Sequence, residues 1–211
     1  MANVGLLYVG AVLFINGMML LKKVDAKAAA VFNLFVGTMQ VVFPTVLIAT
    51  AGRDTQTILA ASGLYLFGFT YLYVGIGLLA GLDTTGVGYF SLFVAVMALG
   101  YAFVNFRVLR DPPFGVIWLY WAFLWFLFFV LLGLKVEGIT TYTGWVTAIE
   151  GWVTAAIPAF LLLSGYWGGP VATAIALAVF AVVVFGALWF MVGPGRRVRH
   201  RPGGVAAPGR P

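Results

Sequence analysis

The sequence predicts an all-α polytopic membrane protein with seven spans, and three observations carry that reading. Of its 211 residues, 63% are hydrophobic and 9% are charged, with a mean hydropathy of +1.07. A soluble domain carries about 25% charged residues. The apolar residues gather into seven runs, each long enough to cross ~30 Å of hydrocarbon. The six carboxylates fall between those runs, with one exception, Glu150.

The runs cover roughly 4–21, 28–51, 58–80, 87–109, 114–134, 144–166 and 170–192. The first has neither a basic leader nor a small-residue cleavage pattern, so it reads as a mature span rather than a signal peptide. Short turn-forming connections separate the rest: Lys22-Lys23-Val24-Asp25, Gly52-Arg53-Asp54, Gly81-Leu82-Asp83, Asp111-Pro112-Pro113, Lys135-Val136-Glu137-Gly138 and Gly168-Gly169-Pro170. No connection can hold a folded soluble domain. With the N-terminus outside, nine of the 12 basic residues fall on the cytoplasmic side: Lys22, Lys23, Lys27, Lys135, Arg196, Arg197, Arg199, Arg201 and Arg210. Arg53, Arg107 and Arg110 fall outside. The positive-inside rule therefore selects N-out and C-in. The tail, 194–211, is basic and rich in Pro and Gly; it reads as disordered, either a plain stop-transfer anchor or a contact for anionic lipid. The net charge of +6 sits largely in membrane-flanking segments, which points to a bilayer rather than to nucleic acid.

An internal repeat organises the first six spans. The first, third and fifth carry Leu7-Tyr8-Val9-Gly10, Leu72-Tyr73-Val74-Gly75 and Leu119-Tyr120-Trp121-Ala122. The second, fourth and sixth carry Phe32-Asn33-Leu34-Phe35-Val36, Phe90-Ser91-Leu92-Phe93-Val94 and Ile149-Glu150-Gly151-Trp152-Val153. The alignment places Asn33, Ser91 and Glu150 at equivalent positions. Three helical hairpins around a pseudo-threefold axis would aim these polar groups at one another. Residues 1–167 thus form a six-span core, 168–193 hold an additional, peripheral helix outside the repeat, and the tail follows. Glu150 lies roughly 9 Å inside its run at the helical rise per residue. A carboxylate at that depth faces a bundle interior or a wet cavity.

Several chemistries are excluded. The chain has no Cys, and its single histidine is His200 in the tail. Haem, zinc and iron–sulfur centres lose their usual ligands, so no cofactor is expected. Lys22, Lys23, Lys27 and Lys135 all lie outside the seventh run, so no Schiff-base lysine is available there for a retinal protein. An intramembrane hydrolase needs a nucleophile with a base, or paired carboxylates; one embedded carboxylate without an embedded histidine supplies neither, so the chain does not read as an enzyme.

Over about residues 1–167 the sequence resembles the bacterial urea channel and amide transporter family, the UreI/AmiS type. The resemblance rests on Leu6-Leu7-Tyr8-Val9-Gly10 with Asn16-Gly17, Lys23-Val24-Asp25-Ala26-Lys27 with Asn33, and Phe35-Val36-Gly37. It continues through Leu66-Phe67-Gly68-Phe69-Thr70-Tyr71-Leu72-Tyr73, Gly81-Leu82-Asp83 and Ser91-Leu92-Phe93-Val94-Ala95. It closes on Trp118, Trp121 and Trp125, then Ile149-Glu150-Gly151 with Ile157-Pro158-Ala159. It implies six spans in three hairpins, a pore within each protomer and a homo-hexameric ring in a bacterial inner membrane. It implies a pore narrowed by Leu6, Phe69, Tyr73, Trp118, Trp121, Leu124 and Trp125, with Asn16 and Glu150 as polar elements. A metabolic link to a cytoplasmic amidase or urease is also implied by resemblance.

Side-chain chemistry is compatible with that carry-over. Trp118, Trp121 and Trp125 stand at i, i+3 and i+7, on one helix face, and Phe69 and Tyr73 share a face at i and i+4. A slot of flat rings admits a flat neutral amide and excludes hydrated ions. Indole N–H and phenol O–H groups can meet a carbonyl, and Glu150 or Asn33 can accept an amide N–H. Each residue also has a plainer reading. Trp118 suits an interfacial aromatic belt, Glu150 an interhelical hydrogen bond and Asn16 helix packing. The expectation is a passive channel for urea and short-chain amides that is not acid-gated: the acid-gated members carry longer, histidine-bearing outer loops, and here the loop from Gly52 to Thr57 is short. The alternatives are a proton-coupled amide transporter using Glu150 and a non-transporting partner subunit.

Overall fold

A computed structural model of the protein describes residues 1–168 and 171–194. Among them are helices and no strands, and seven apolar helices are long enough to cross a membrane: Ala2–Leu20, Ala26–Thr50, Thr55–Ala80, Thr85–Leu109, Pro112–Gly133, Glu137–Ser164 and Val171–Val192. The sixth begins at Glu137 rather than near residue 144. Its first turns are rich in threonine, which breaks the apolar run without breaking the helix. The hydroxyls of Thr140 and Thr147 return to the carbonyls of Glu137 and Thr143. Residues 195–211, which hold the expected basic tail and His200, lie outside the described residues.

The aspartates between the spans open the helices that follow them. Asp25 accepts from the backbone N–H of Lys27 and Ala28, Asp54 from Gln56 and Thr57, Asp83 from Thr85, and Asp111 from Phe114. Each carboxylate satisfies donors that the first helical turn leaves unpaired. On the same side as the C-terminus of the first span, Lys135 bonds Asp83 at 2.9 Å and Thr84 at 2.8 Å, tying two connections together.

The tightest packing joins the first span to the sixth, the second to the third and the fourth to the fifth. The expectation paired consecutive spans from the start of the chain, first with second and so on; those neighbours pack less closely. Small residues decide the matter. A Cβ on Gly10 would lie 2.6 Å from the Gly151 carbonyl oxygen, and one on Gly17 would lie 2.7 Å from that of Gly144. A Cβ on Gly75 would come within 3.0 Å of the Ala30 carbonyl oxygen, and one on Gly88 would overlap the backbone of Gly133. In lipid, helices associate where small residues let backbones approach. Asn33, Ser91 and Glu150 are all buried, one in each of these pairs.

The seventh span lies against the fifth and sixth. Ala174 and Phe185 are its buried residues. Two tyrosine hydroxyls of the core donate to its backbone, Tyr120 to Leu177 and Tyr142 to Phe185.

Candidate functional site

Two cavities lie end to end along the first span. The first, about 160 Å³, opens beside its N-terminal end and is lined by Asn3, Leu6, Gln56, Tyr101, Asn105, Trp118 and Trp121, among others. The second, about 110 Å³, lies toward its C-terminal end, among Leu13, Asn16, Thr70, Tyr71, Tyr73, Ser91, Trp125 and the Asp83 connection. Leu6 and Leu13 stand roughly 10 Å apart along the helix.

Between the cavities is an aromatic partition. Phe67, 2% exposed, lines neither cavity. Its ring centroid lies 5.7 Å from that of Trp118, 4.8 Å from Trp121 and 5.0 Å from Trp125. Trp121 meets Phe67 edge-on, as does Trp125, the favoured geometry for paired rings. The indoles are held: Trp121 Nε1 donates to Thr154 Oγ1 at 3.0 Å and Trp125 Nε1 to Thr70 Oγ1 at 3.2 Å. Thr154 and Thr70 in turn donate to the carbonyls of Glu150 and Leu66. The partition is therefore rigid, apolar on its faces and hydrogen-bonded at its back.

Polar groups mark the second cavity. Asn16 and Asn33 exchange two amide hydrogen bonds, at 3.0 and 2.7 Å, and Asn33 also donates to Ala29. That leaves Asn16 one N–H and one acceptor site on the cavity side. Ser91 donates back to Val87. At the cavity's edge, hydrogen bonds from Thr85 and Lys135 hold the Asp83 carboxyl well below the usual carboxylate range.

The expected site residues divide accordingly. Leu6, Trp118 and Trp121 line the first cavity. Asn16, Tyr73, Ser91 and Trp125 line the second. Asn33 stands behind Asn16, and Leu124 is buried but lines neither cavity. Phe69 departs from its expected place: it is 50% exposed and stacks on Tyr65 at 5.6 Å. Phe67, two residues earlier and about 200° away around the helix, faces the indoles instead. Glu150 is also off both cavities. It is 0% exposed, beside the contact of Gly151 with Gly10, and neither carboxylate oxygen has a partner among the described residues. Among the described residues no group of three His, Cys, Asp or Glu side chains could hold a metal ion. Residue-type reasoning passed over Phe67, Thr70, Tyr101, Asn105 and Thr154. Phe67, Thr70 and Tyr71 share one helix face by spacing, but Phe69 and Tyr73 share another, and spacing alone does not choose between the two faces.

The profile of the AmiS/UreI family transporter matches residues 1–166. A protein of Rhodococcus erythropolis named as a transporter, AmiS2, is 53% identical over 92% of this chain and 94% of its own. A Mycolicibacterium smegmatis protein, named as a transporter of amidate substrates, is 52% identical over 94% of this chain and 92% of its own. An acid-activated urea channel of Helicobacter pylori is 34% identical, with 79% of this chain matched to 100% of it. The crystal structure of the urea channel from that species superposes with a TM-score of 0.72 at 36% identity, covering 80% of this chain and 100% of that one.

Proposed function

Because the chain belongs to the AmiS/UreI family of transporters, we propose that it is a passive channel through which urea and short-chain amides run down their gradients. The observation that carries this reading is the end-to-end pair of cavities divided by Phe67 and the indoles. A flat neutral solute can slide between flat rings. A hydrated ion would lose its water there with no charged group to replace it. Leu6, Trp118 and Trp121 receive the solute at one end; Trp125, Tyr73, Ser91 and Asn16, braced by Asn33, receive it at the other.

The finer features belong to the same proposal. The basic-residue bias puts the first cavity outside and the Asp83–Lys135 contact in the cytoplasm of a bacterium. A homo-hexamer of protomers, each with its own pore, fits the likeness to the urea channel. The three small-residue helix pairs support a pseudo-threefold core, with the seventh span peripheral. The amide preference draws on the relative named for amidate substrates. The absence of acid gating draws on chain length: the alignment with the acid-activated channel runs over 195 positions yet takes in 79% of this chain, so that channel carries segments lacking here. The single histidine of this chain is His200.

One observation favours a second reading. A buried carboxyl without a partner among the described residues, as at Glu150, is what a proton-coupled carrier would use. Stopped-flow uptake of urea, formamide and acetamide into proteoliposomes tests the channel directly. Equilibration much faster than in protein-free vesicles is expected; equal rates would overturn it.

A further inference from the structure

Three indole N–H groups follow one another down the fifth span, and their partners differ. Those of Trp121 and Trp125 are committed to threonine hydroxyls. The Trp118 N–H has no partner among the described residues and is not sealed from the surroundings. Trp118 lines the first cavity, and its ring stacks on Tyr101 at 4.5 Å and 19°.

Asn105 lines the same cavity from the fourth span. Its Nδ2 donates to the Tyr101 carbonyl at 2.8 Å. A carbonyl only accepts, so the amide nitrogen must face Tyr101 and the amide oxygen must turn the other way. That oxygen has no donor among the described residues and is likewise unsealed. The α-helix gives way to a π-helical turn, Asn105–Leu109, at this residue. Such turns recur at functional sites because they re-aim a side chain. Tyr101 is itself fixed, its hydroxyl 2.7 Å from Ser62 Oγ. One residue therefore positions both groups: its ring holds Trp118 and its carbonyl holds Asn105.

Resting on the reading of this chain as an amide pathway, we infer that Asn105 and Trp118 form an amide-reading site in the first cavity. The Asn105 oxygen accepts an N–H of the solute, and the Trp118 N–H donates to the solute carbonyl. A primary amide presents that donor and acceptor on neighbouring atoms, and urea does the same. The cavity, about 160 Å³, has room for one such molecule with some water. Ketones and esters of similar size lack the N–H, so the pair selects by chemistry what the partition then selects by shape.

The test is the concentration dependence of radiolabelled acetamide uptake by full-length protein in proteoliposomes. Asn105→Leu removes the acceptor, and Trp118→Phe removes the donor while keeping the stack on Tyr101. Each change is expected to raise the half-saturating acetamide concentration about threefold to tenfold, the equivalent of one hydrogen bond. A merely structural role lowers the maximal rate, through fewer working channels, and leaves half-saturation unchanged; that outcome overturns the inference. So does wild-type uptake that rises linearly without saturating, although the channel reading survives it. Absence of any wild-type uptake above empty vesicles overturns the channel reading itself. If Asn105→Leu fails to fold, Trp118→Phe carries the same test alone.

Discussion

Replacing Phe67 by alanine should open the partition, and the size of the effect can be worked from its contacts. Phe67 makes three aromatic contacts, with Trp118, Trp121 and Trp125. At ~0.5–1.5 kcal/mol for each pair, the lost ring contacts amount to about 1.5–4.5 kcal/mol. No hydrophobic transfer term is added in full, since lipid tails are as apolar as the core. Trp121 and Trp125 remain in place, because Thr154 and Thr70 hold their N–H groups, and Trp118 keeps its stack on Tyr101. The two cavities then merge, and discrimination by size falls. The assay compares acetamide with butyramide uptake in proteoliposomes, with Phe69→Ala as the paired control. In Phe67→Ala the butyramide-to-acetamide ratio should rise roughly threefold or more. Phe69→Ala should leave the ratio alone, because Phe69 stacks on Tyr65 at the periphery. A change in selectivity with Phe69→Ala and none with Phe67→Ala would refute the placement of the pathway.

Other expectations can be checked in the same vesicles. Glu150→Gln keeps shape and removes the ionisable proton; on a passive pathway that avoids Glu150, acetamide flux stays within about twofold of wild type, measured by stopped-flow light scattering. External pH between about 5 and 7.5 should change flux less than twofold, since the histidine that usually titrates there lies only in the tail. Asp83, held low by Thr85 and Lys135, contributes its contact above the ordinary carboxylate range and loses it only as pH falls through its lowered value. The Lys135 contact therefore persists across that window, and Lys135→Met should give a flux profile with pH that is no steeper than wild type. Truncation after Trp167 removes acceptors for the Tyr120 and Tyr142 hydroxyls, at about 1–3 kcal/mol each. It should lower the melting temperature in detergent yet leave uptake intact in protein that assembles, because neither cavity is lined by the seventh span.

The spans were legible because length and hydropathy set them. Which face of a span looks inward was much less so. The third span is apolar all round, so its sequence carries no polar stripe to fix the phase; Phe67 and Phe69 are equally apolar, and the packing of Phe67 against the indoles distinguishes them. The tryptophan face of the fifth span was readable from spacing alone. Glu150 announced its depth but not its azimuth. Helix pairing had a signal in Gly10 and Gly17 against Gly144 and Gly151, each set two turns apart, which becomes meaningful once an antiparallel partner is considered. Asn105 and Tyr101 gave no motif at all. Their role rests on a backbone carbonyl that orients an amide and a ring that stacks on Trp118, both set by tertiary contact.

The most direct measurement of the central claim is the endpoint of acetamide uptake under an imposed proton gradient. A passive pore speeds equilibration and leaves the same concentration on both sides, with or without a protonophore. Accumulation above the outside concentration that collapses with the protonophore, and that Glu150→Gln abolishes, would contradict a passive channel and establish a coupled carrier in its place.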